Sequence, residues 1–282
     1  MNVLIFGSKG YLGSQFLSLY PDAITPSVDV ADQAAVATLL DKEKPDVVIN
    51  AAGKTGRPNV DWCETHREET FRSNVTGVVT LLEECGERGI YWVHLGSGCI
   101  YEGENGGGGY TEEDPPNFAG SFYSWTKNVS DQMLMRFGEG WKGRGGVLNL
   151  RLRMPFDTTQ SPRNLLMKLK GYTRVLDVRN SITFIPEFTA AAQRLIAERK
   201  TGTYNMVNGS GISPYRIMEL YKEIVDPSHA FERLTLEQLP DVAKAARSNC
   251  ILNNAKLLGE GIPMGDAEET VRAALRTLRK AP

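Results

Sequence analysis

A chain of 282 residues is long enough to bury a sizeable core, either as one large α/β domain or as a domain with a smaller lobe. Its 32 basic and 34 acidic residues nearly balance, which argues against a nucleic acid or a membrane surface as partner and favours a small molecule. Four scattered cysteines and three histidines predict no disulfide framework and no metal site. With no export signal ahead of the first strand and no stretch near the ~20 apolar residues of a membrane span, we expect a reducing, cytoplasmic setting.

The first half of the chain alternates short apolar strands with amphipathic helices. We predict strands at 2–6, 46–50, 91–95 and 146–151, and helices at 11–20, 64–87 and 121–137. Because the strands are apolar throughout and are separated by helices, they predict a parallel sheet that is covered on both faces. The fold class is therefore α/β, with a Rossmann-type doubly wound parallel sheet.

The second half of the chain is less regular. We predict helices at 164–170, 188–199, 214–224, 236–246 and 267–278, and strands at 181–185 and 203–207. This pattern indicates a smaller C-terminal substrate lobe that is interleaved with the sheet. We expect residues 1–153 with 181–207 to form a cofactor-binding domain, and residues 154–180 with 208–282 to form a substrate-binding lobe. The glycine-rich segment 104–109 is predicted to be a mobile loop near the mouth of the site.

A glycine motif links the first strand to the first helix. Its spacing is GxxGxxG, and in this position the absence of side chains lets the backbone approach a pyrophosphate at the helix N-terminus. A tight turn without a ligand is the alternative. Lys9 is placed to meet a 2′-phosphate and no acidic residue lies at 23–27, where the second strand should end, so NADPH is favoured and NADH remains possible. The predicted cofactor contacts in this loop are Gly7, Ser8, Lys9, Gly10, Tyr11, Leu12 and Gly13.

A second motif lies in the predicted helix at 121–137. Tyr123 and Lys127 are four residues apart and therefore lie on one helix face. The ammonium and a cationic nicotinamide would favour the tyrosinate, which makes Tyr123 a proton donor to a ketone, and Ser97 would hydrogen-bond the same oxygen. An ordinary amphipathic pair is the alternative.

Two further residues extend this candidate site. Cys99 follows Ser97 by two residues, so if both lie at the end of one strand their side chains face the same way. Cys99 would then exchange a proton at the carbon next to the ketone, whereas a buried free cysteine would only pack. Lys168 is a candidate partner, and a solvated helix face is its alternative.

Eight parts of the chain carry a more specific pattern: 51–64, 98–102, 112–114 with 116–118, 120–124, 151–155, 162–164, 181–183 and 247–249. Together they resemble the nucleotide-rhamnose synthases, bifunctional 3,5-epimerase/4-reductases that act on UDP- or dTDP-4-keto-6-deoxyglucose. These enzymes belong to the extended short-chain dehydrogenase/reductase superfamily, of which the GxxGxxG spacing is typical. Ser97 stands where many relatives have threonine, a change that keeps the hydroxyl.

The resemblance implies an NADPH-dependent homodimer that converts a nucleotide-linked keto sugar into nucleotide-L-rhamnose. It implies that Ser97, Tyr123 and Lys127 are the reductase triad, that Cys99 is the epimerase thiol and that Lys168 acts with it.

The resemblance also assigns binding residues. It implies that Asp29 and Val30 contact the adenine and that Ala51, Ala52 and Gly53 pass beneath the cofactor. The residues expected around the substrate are Asn117, Phe118, Arg163, Asn164 and Arg247.

Two other functions remain open. One is reduction alone, as in dTDP-4-dehydrorhamnose reductase, with Cys99 as a packing residue. The other is a non-catalytic NADP-binding regulatory subunit of the same fold, which the complete Ser-Tyr-Lys set argues against. The choice between uracil and thymine, and between Cys99 and Lys168 as the base at each carbon, also remains open.

Overall fold

The computed structural model describes residues 1–57 and 59–280. Pro58, within the segment 51–64 that carries part of the resemblance, and residues 281 and 282 of the predicted lobe lie outside the described residues. The chain divides into two compact units. The first unit contains Met1–Ile100, Phe118–Arg151 and Thr189–Tyr204, and the second contains Tyr101–Asn117, Leu152–Phe188 and Asn205–Pro282.

The strands and helices are numbered in chain order. The strands are β1 (Val3–Phe6), β2 (Val47–Asn50), β3 (Tyr91–Ser97), β4 (Val147–Leu152), β5 (Pro155–Phe156), β6 (Arg174–Leu176), β7 (Thr183–Phe184), β8 (Gly202–Asn205) and β9 (Glu232–Leu234). The helices are α1 (Gly13–Leu19), α2 (Gln33–Glu43), α3 (Asp61–Thr65), α4 (Arg67–Phe71), α5 (Gly77–Arg88), α6 (Phe122–Arg136), α7 (Leu165–Lys170), α8 (Ile185–Ala197), α9 (Pro214–Ile224), α10 (Ala255–Gly259) and α11 (Ala267–Lys280).

The first unit is built on a five-stranded sheet with the order β1, β2, β3, β4, β8. β1 pairs in parallel with β2, and β2 pairs in parallel with β3. On the other side of β1, Ile24 forms a parallel bridge with Leu4. The chain therefore leaves β1 first to one side and then to the other, and doubly wound sheets bind their ligands at such a switch point. The predicted Rossmann-type fold is confirmed.

The apolar strands of this sheet are buried on both faces. All four residues of β1 are buried. Leu4 and Phe6 pack in one cluster with apolar residues of α2 and α5. Because strand side chains alternate, Val3 and Ile5 point to the opposite face, where they are equally buried. This two-sided burial explains why the strands lack the apolar–polar alternation of a half-exposed sheet.

The second unit has a hydrophobic core of its own. Apolar residues of α7, α9 and α11 form one cluster, and two small parallel sheets, β5 with β7 and β6 with β9, complete the unit. Four segments that we assigned to the cofactor-binding domain group with this second unit instead, namely residues 101–117, 152–153, 181–188 and 205–207. The division of cofactor and substrate binding between two domains stays a prediction.

The predicted helix at 64–87 is wrong as a single helix. The chain is divided into α3, α4 and α5, and a π-helical turn, Arg72–Thr76, joins α4 to α5. The first break occurs at His66, whose φ of −126° and ψ of 53° lie outside the helical region. The π turn carries Asn74, whose side chain bonds a neighbouring loop described below. Tertiary contacts therefore override the helical periodicity in this segment.

Other elements also differ from prediction. The predicted helix at 236–246 is only a 3₁₀ turn at Leu239–Asp241, and Pro240 within it removes a helical N–H donor. α2, β6, β9 and α10 were not predicted. The glycine-rich segment contains a 3₁₀ turn at Asn105–Gly107, and its mobility stays a prediction. Among the described residues, no helix combines the length and apolarity needed to cross a bilayer.

Candidate active site

The glycine motif forms a tight backbone turn at the end of β1. Gly7 has a φ of +72°, and a Cβ on it would lie 2.6 Å from the peptide that joins Ala51 to Ala52. A Cβ on Gly13 would lie 2.1 Å from the carbonyl oxygen of Gly7. Only glycine allows both approaches. α1 starts at Gly13 without a side-chain cap, and the loop itself supplies backbone acceptors for the first turn, since the Ser14 N–H donates to the Gly10 carbonyl at 2.9 Å and the Gln15 N–H to the Leu12 carbonyl at 3.1 Å. The positive end of α1 therefore lies directly behind the tight glycine turn, a position that favours an anion.

The other predicted cofactor residues of this region differ in their surroundings. Lys9 is exposed and Ser8 is buried. Asp29 accepts hydrogen bonds from the Ala31 N–H at 2.9 Å and from Arg72 Nε at 3.0 Å, and these bonds lower the pKa of its carboxyl group. Val30 is buried and packs against Gly77. Contacts of Asp29 and Val30 with adenine stay predictions.

The segment Ala51–Gly53 is held by two asparagines that the sequence analysis missed. Asn50 Oδ1 accepts a hydrogen bond from the Ala52 N–H at 3.1 Å. Asn74 accepts from the Lys54 N–H at 2.8 Å, donates to the Lys54 carbonyl at 2.9 Å and donates to Thr126 Oγ1 on α6 at 3.2 Å. The only sequence signal for Asn74 is a polar residue inside an apolar helical pattern. Its side chain connects the predicted cofactor loop to the helix of Tyr123.

Ser97 and Cys99 lie at the carboxyl end of the central sheet, but not on one strand. β3 ends at Ser97, and Cys99 lies in the turn that follows. The condition under which the two side chains would face the same way is therefore not met. The Cys99 N–H donates to Ser97 Oγ at 3.1 Å, which fixes the serine hydroxyl relative to this turn. Ser97 is buried and Cys99 is partly exposed.

Cys99 differs from the other cysteines in exposure. Cys63, Cys85 and Cys250 are buried, and burial raises the pKa of the Cys63 and Cys85 thiols. Thiols of this kind are inert packing groups. Among the four cysteines, all within the described residues, only Cys99 combines access with a position next to Ser97.

Tyr123 and Lys127 lie one turn apart on α6, as predicted from their spacing. Ser121 caps this helix by accepting from the Ser124 N–H at 3.1 Å. Glu64 Oε1 also accepts from the Phe122 N–H at 2.7 Å, so a second side chain, which is acidic, holds the helix start. Both Tyr123 and Lys127 are buried.

Lys127 occupies an unusual environment for a lysine. Its Nζ donates to the Leu95 carbonyl at 3.0 Å and lies 3.2 Å from Nε2 of His94. Burial lowers the pKa of Lys127 from 10.5 to about 8, and the Asp131 carboxylate partly offsets this effect. Burial and the neighbouring Lys127 lower the pKa of His94 well below 6.5, so this histidine is neutral. A lysine pKa near neutrality is typical of groups that exchange protons in active sites.

Asp131 is itself paired beneath the site. Arg151 Nε and Nη2 donate to its two carboxylate oxygens at 2.9 and 2.7 Å, and Asn149 Nδ2 adds a bond of 2.8 Å. Both charged side chains are buried. The pair anchors α6 to β4, so this ion pair holds the helix of Tyr123 and Lys127 against the sheet.

The predicted substrate residues occupy both units. Phe118 is buried in the first unit. In the second unit, Asn117 is exposed and bonds Glu102 and Tyr110, and Arg247 Nη1 donates to the Ala245 carbonyl at 2.8 Å. Their contacts with substrate stay predictions.

Lys168 lies in α7, and the predicted substrate residues Arg163 and Asn164 lie just before this helix. Asn164 is fully buried and caps this helix, since its Oδ1 accepts from the Leu166 N–H at 3.1 Å. Its Nδ2 donates to the carbonyl groups of Asp157 and Thr159 at 2.9 and 2.8 Å, so its side chain is fully engaged within the protein. Lys168 is partly exposed on α7, and Arg163 is partly exposed just before it.

Comparison with known proteins identifies the family. Residues 1–140 match the RmlD substrate binding domain. The bifunctional dTDP-4-dehydrorhamnose 3,5-epimerase/dTDP-4-dehydrorhamnose reductase of Arabidopsis thaliana is 38% identical over 269 residues, which cover 92% of this chain and 87% of that protein. The chain belongs to the nucleotide-rhamnose synthase family. The protein is therefore an enzyme, and the resemblance predicted from its motifs is confirmed.

Three other relatives show how much of the chain, and how much of each relative, is covered by the similarity. The UDP-rhamnose synthase L780 of Acanthamoeba polyphaga mimivirus has a crystal structure that superposes with a TM-score of 0.91 at 31% identity and covers 98% of this chain and 99% of its own. A trifunctional 4,6-dehydratase/3,5-epimerase/reductase of Arabidopsis thaliana is 36% identical, and the chain spans 41% of its length. A dTDP-4-dehydrorhamnose reductase from Bacillus anthracis, in complex with NADP, has a TM-score of 0.81 at 18% identity and supports the fold alone.

Proposed function

We propose that the protein inverts C3 and C5 of a UDP- or dTDP-linked 4-keto-6-deoxyglucose and then reduces the C4 ketone, which yields nucleotide-L-rhamnose. The observation that carries this proposal is the position of Cys99, a partly exposed residue whose backbone N–H donates to Ser97 Oγ in the same unit as Tyr123 and Lys127. One group of residues then serves carbanion chemistry and ketone reduction.

NADPH is the proposed cofactor. The glycine turn has no side chains where a Cβ would collide, and it lies at the positive end of α1, so a pyrophosphate can approach the backbone closely there. Lys9 is exposed within this turn, in keeping with contact to a 2′-phosphate. When bound, NADPH supplies the hydride that reduces C4.

The reduction needs a proton donor at the ketone oxygen. Tyr123 donates this proton, and Ser97 donates a hydrogen bond to the same oxygen. Lys127 lies one helical turn from Tyr123, and its positive charge stabilises the tyrosinate that remains. Bulk solvent then restores the tyrosine proton.

The epimerisation needs two groups that exchange protons with opposite faces of the sugar ring. The 4-keto group acidifies the hydrogens on C3 and C5, and hydrogen bonds to its oxygen stabilise the enolate. Cys99 is proposed as one proton-transfer group and Lys168 as the other, by their match to the family's motif.

We also propose that the protein is a homodimer and that it works in the cytoplasm. Phe71 on α4 and Trp125 on α6 are exposed large aromatic residues whose ring centroids lie 5.9 Å apart, and Phe122 packs on Trp125 at 5.3 Å. Exposed aromatic clusters of this kind favour a protein partner, and a second copy of the chain is the partner proposed here. Four free cysteines accord with a reducing compartment.

The test is incubation with NADPH and either UDP- or dTDP-4-keto-6-deoxyglucose in deuterated water, with the product read by NMR. We expect a nucleotide-L-rhamnose that carries deuterium at C3 and C5, and we expect exchange at these carbons without NADPH. Reduction without exchange would leave a simple reductase. Nucleotide binding without turnover of either substrate would indicate a regulatory subunit.

A further inference from the structure

A buried row of polar groups connects the predicted cofactor loop to Lys127. The Ala52 N–H donates to Asn50 Oδ1 at 3.1 Å, Asn50 Nδ2 lies 3.3 Å from His94 Nδ1, and His94 Nε2 lies 3.2 Å from Lys127 Nζ. Asn50, His94 and Lys127 are 0%, 2% and 7% exposed. The three side chains come from β2, β3 and α6, so the row crosses the sheet to the helix of Tyr123.

The backbone N–H at one end gives this row a direction. Since the Ala52 N–H can only donate, Asn50 must present its oxygen to Ala52 and its NH₂ group to His94. His94 Nδ1 must then accept, which puts the single proton of the neutral ring on Nε2. That N–H points at Lys127 Nζ, which can accept only as a neutral amine. Every hydrogen bond in the row is satisfied with Lys127 uncharged.

A charged Lys127 cannot be fitted into the same row. An ammonium group has only donors, so His94 Nε2 would have to accept and the ring proton would move to Nδ1. Nδ1–H would then face the NH₂ group of Asn50. Rotating the Asn50 amide removes that conflict but turns the NH₂ group towards the Ala52 N–H. Either way, two donors face each other in a buried setting, which costs free energy.

We propose that Asn50 and His94 are positioning residues that couple the charge on Lys127 to the hydrogen bond of the Ala52 N–H. Uptake of one proton by Nζ moves the His94 ring proton from Nε2 to Nδ1, rotates the Asn50 amide and releases the Ala52 N–H. His94 gains no net proton. This inference rests on the proposed function in one respect: the proposed function assigns Lys127 to the reduction and Ala52 to the cofactor loop.

The charges around Lys127 are consistent with this coupling. Asp131, on the same helix, favours the ammonium form, but Arg151 of β4 engages both of its oxygens. Cys99, in the turn after β3, favours the ammonium form weakly. Burial outweighs both and lowers the pKa of Lys127 to about 8. Both charge states of Lys127 are therefore accessible near neutral pH, and the row can switch between its two arrangements.

The ring nitrogens of His94 report the switch directly by NMR, without substrate or cofactor. The chain has three histidines, and His66→Gln and His229→Gln identify the signals of the other two. We expect the His94 proton to move from Nδ1 to Nε2 with a midpoint near pH 8, in parallel with a shift of the Ala52 amide signal. Lys127→Met should abolish both changes. A single His94 tautomer between about pH 6 and about pH 10, or an Ala52 signal that does not follow it, would refute the coupling.

Asn50→Asp provides an almost isosteric reversal of the row. A carboxylate accepts from both the Ala52 N–H and His94 Nδ1–H, which leaves His94 Nε2 to accept from the Lys127 ammonium. We expect His94 to keep its proton on Nδ1 throughout, the Ala52 amide signal to stay constant, and the Lys127 midpoint to rise by about one pH unit or more. A His94 proton that still moves at the wild-type midpoint would contradict the proposal.

Activity then separates this inference from the proposed function. In the Asn50→Asp enzyme, the pH dependence of ketone reduction should shift in the same direction as the NMR midpoint. His229→Gln is the control, because His229 is distant in sequence from the row and belongs to the second unit. This variant should keep the wild-type pH profile. An NMR switch without turnover of any keto sugar would leave the coupling intact and reject the proposed function. Turnover of a keto sugar without the NMR switch would support the proposed function and reject the coupling.

Discussion

The cost of burying Lys127 makes a quantitative prediction about stability. Each tenfold change in proton affinity corresponds to about 1.4 kcal/mol. The lowering of the Lys127 pKa from 10.5 to about 8 therefore corresponds to about 3 kcal/mol of folding free energy. Below pH 8 the lysine is charged in both the folded and unfolded states, and the folded state bears this cost in full.

The sign follows from which state binds more protons. Between pH 8 and 10.5 the folded protein has lost the Lys127 proton while the unfolded chain keeps it, so the free energy of unfolding rises with pH. Lys127→Met lacks this contribution. We expect the unfolding free energy of the wild type, minus that of Lys127→Met, to increase by about 3 kcal/mol from pH 7 to pH 10.5.

Urea unfolding at a series of pH values measures this difference, because the titration of groups that do not interact with Lys127 cancels between the two proteins. The partners left by Lys127, His94 and the Leu95 carbonyl, add an offset that does not depend on pH. Lys222→Met, which removes an exposed lysine of α9, is the matched control and should give a flat difference. A flat or falling difference for Lys127→Met would show that the buried lysine does not carry the assigned cost.

Five further substitutions test the site and its support. Tyr123→Phe should slow reduction by about 10²–10⁴-fold and leave deuterium exchange at C3 and C5 intact. Cys99→Ser should slow this exchange and keep the reduction of an already epimerised ketone. Loss of both activities in each variant would reject these roles. Asp131→Asn should lower the unfolding free energy by about 3–5 kcal/mol, because it leaves Arg151 buried without its carboxylate, while the exposed Asp41→Asn should cost at most about 1 kcal/mol. Gly13→Ala should weaken NADPH binding in a fluorescence titration, since its Cβ would lie 2.1 Å from the Gly7 oxygen, and Gly259→Ala, which meets open space, should not. Trp125→Glu should give monomers in light scattering, whereas Tyr172→Glu, at an exposed residue of the second unit, should leave the dimer intact. An unchanged mass for Trp125→Glu would exclude this face as the dimer contact.

The sequence predicted the parts of the fold that depend on local pattern. β1, β2, β3 and β4 were found because strands buried on both faces appear as continuous apolar runs. α6 was found because Ser121 caps it and its spacing is regular. The helix at 64–87 was misjudged because its apolar pattern continues through breaks made by His66 and the π turn. β6 and β9 were missed because each is only three residues long. They form by pairing with each other across 58 positions of the chain, and no local pattern indicates that pairing.

The candidate site divides in the same way. Gly7, Ser97, Tyr123 and Lys127 were recognisable because their chemistry requires particular residue types at particular spacings. Asn50, Asn74 and His94 were not, because an asparagine or histidine in an apolar run has no pattern that distinguishes a site residue from a packed one. Their roles depend on partners that lie 2, 20 and 33 positions away, respectively.

The order of residues alone determined that this chain forms a parallel α/β sheet and turns tightly over glycines after its first strand. The chain also contains the serine hydroxyl, tyrosine phenol and lysine amine for which we propose a role in ketone reduction. Each of these is readable from local patterns, namely the apolar runs of the strands, the spacing of the glycines and the four-residue spacing of Tyr123 and Lys127. Tertiary structure alone decided the electrostatic state of that amine. Burial, the nearest carbonyl and the histidine of the adjacent strand reach Lys127 only when β2, β3 and α6 are packed together, because solvent screens the same groups in the unfolded chain.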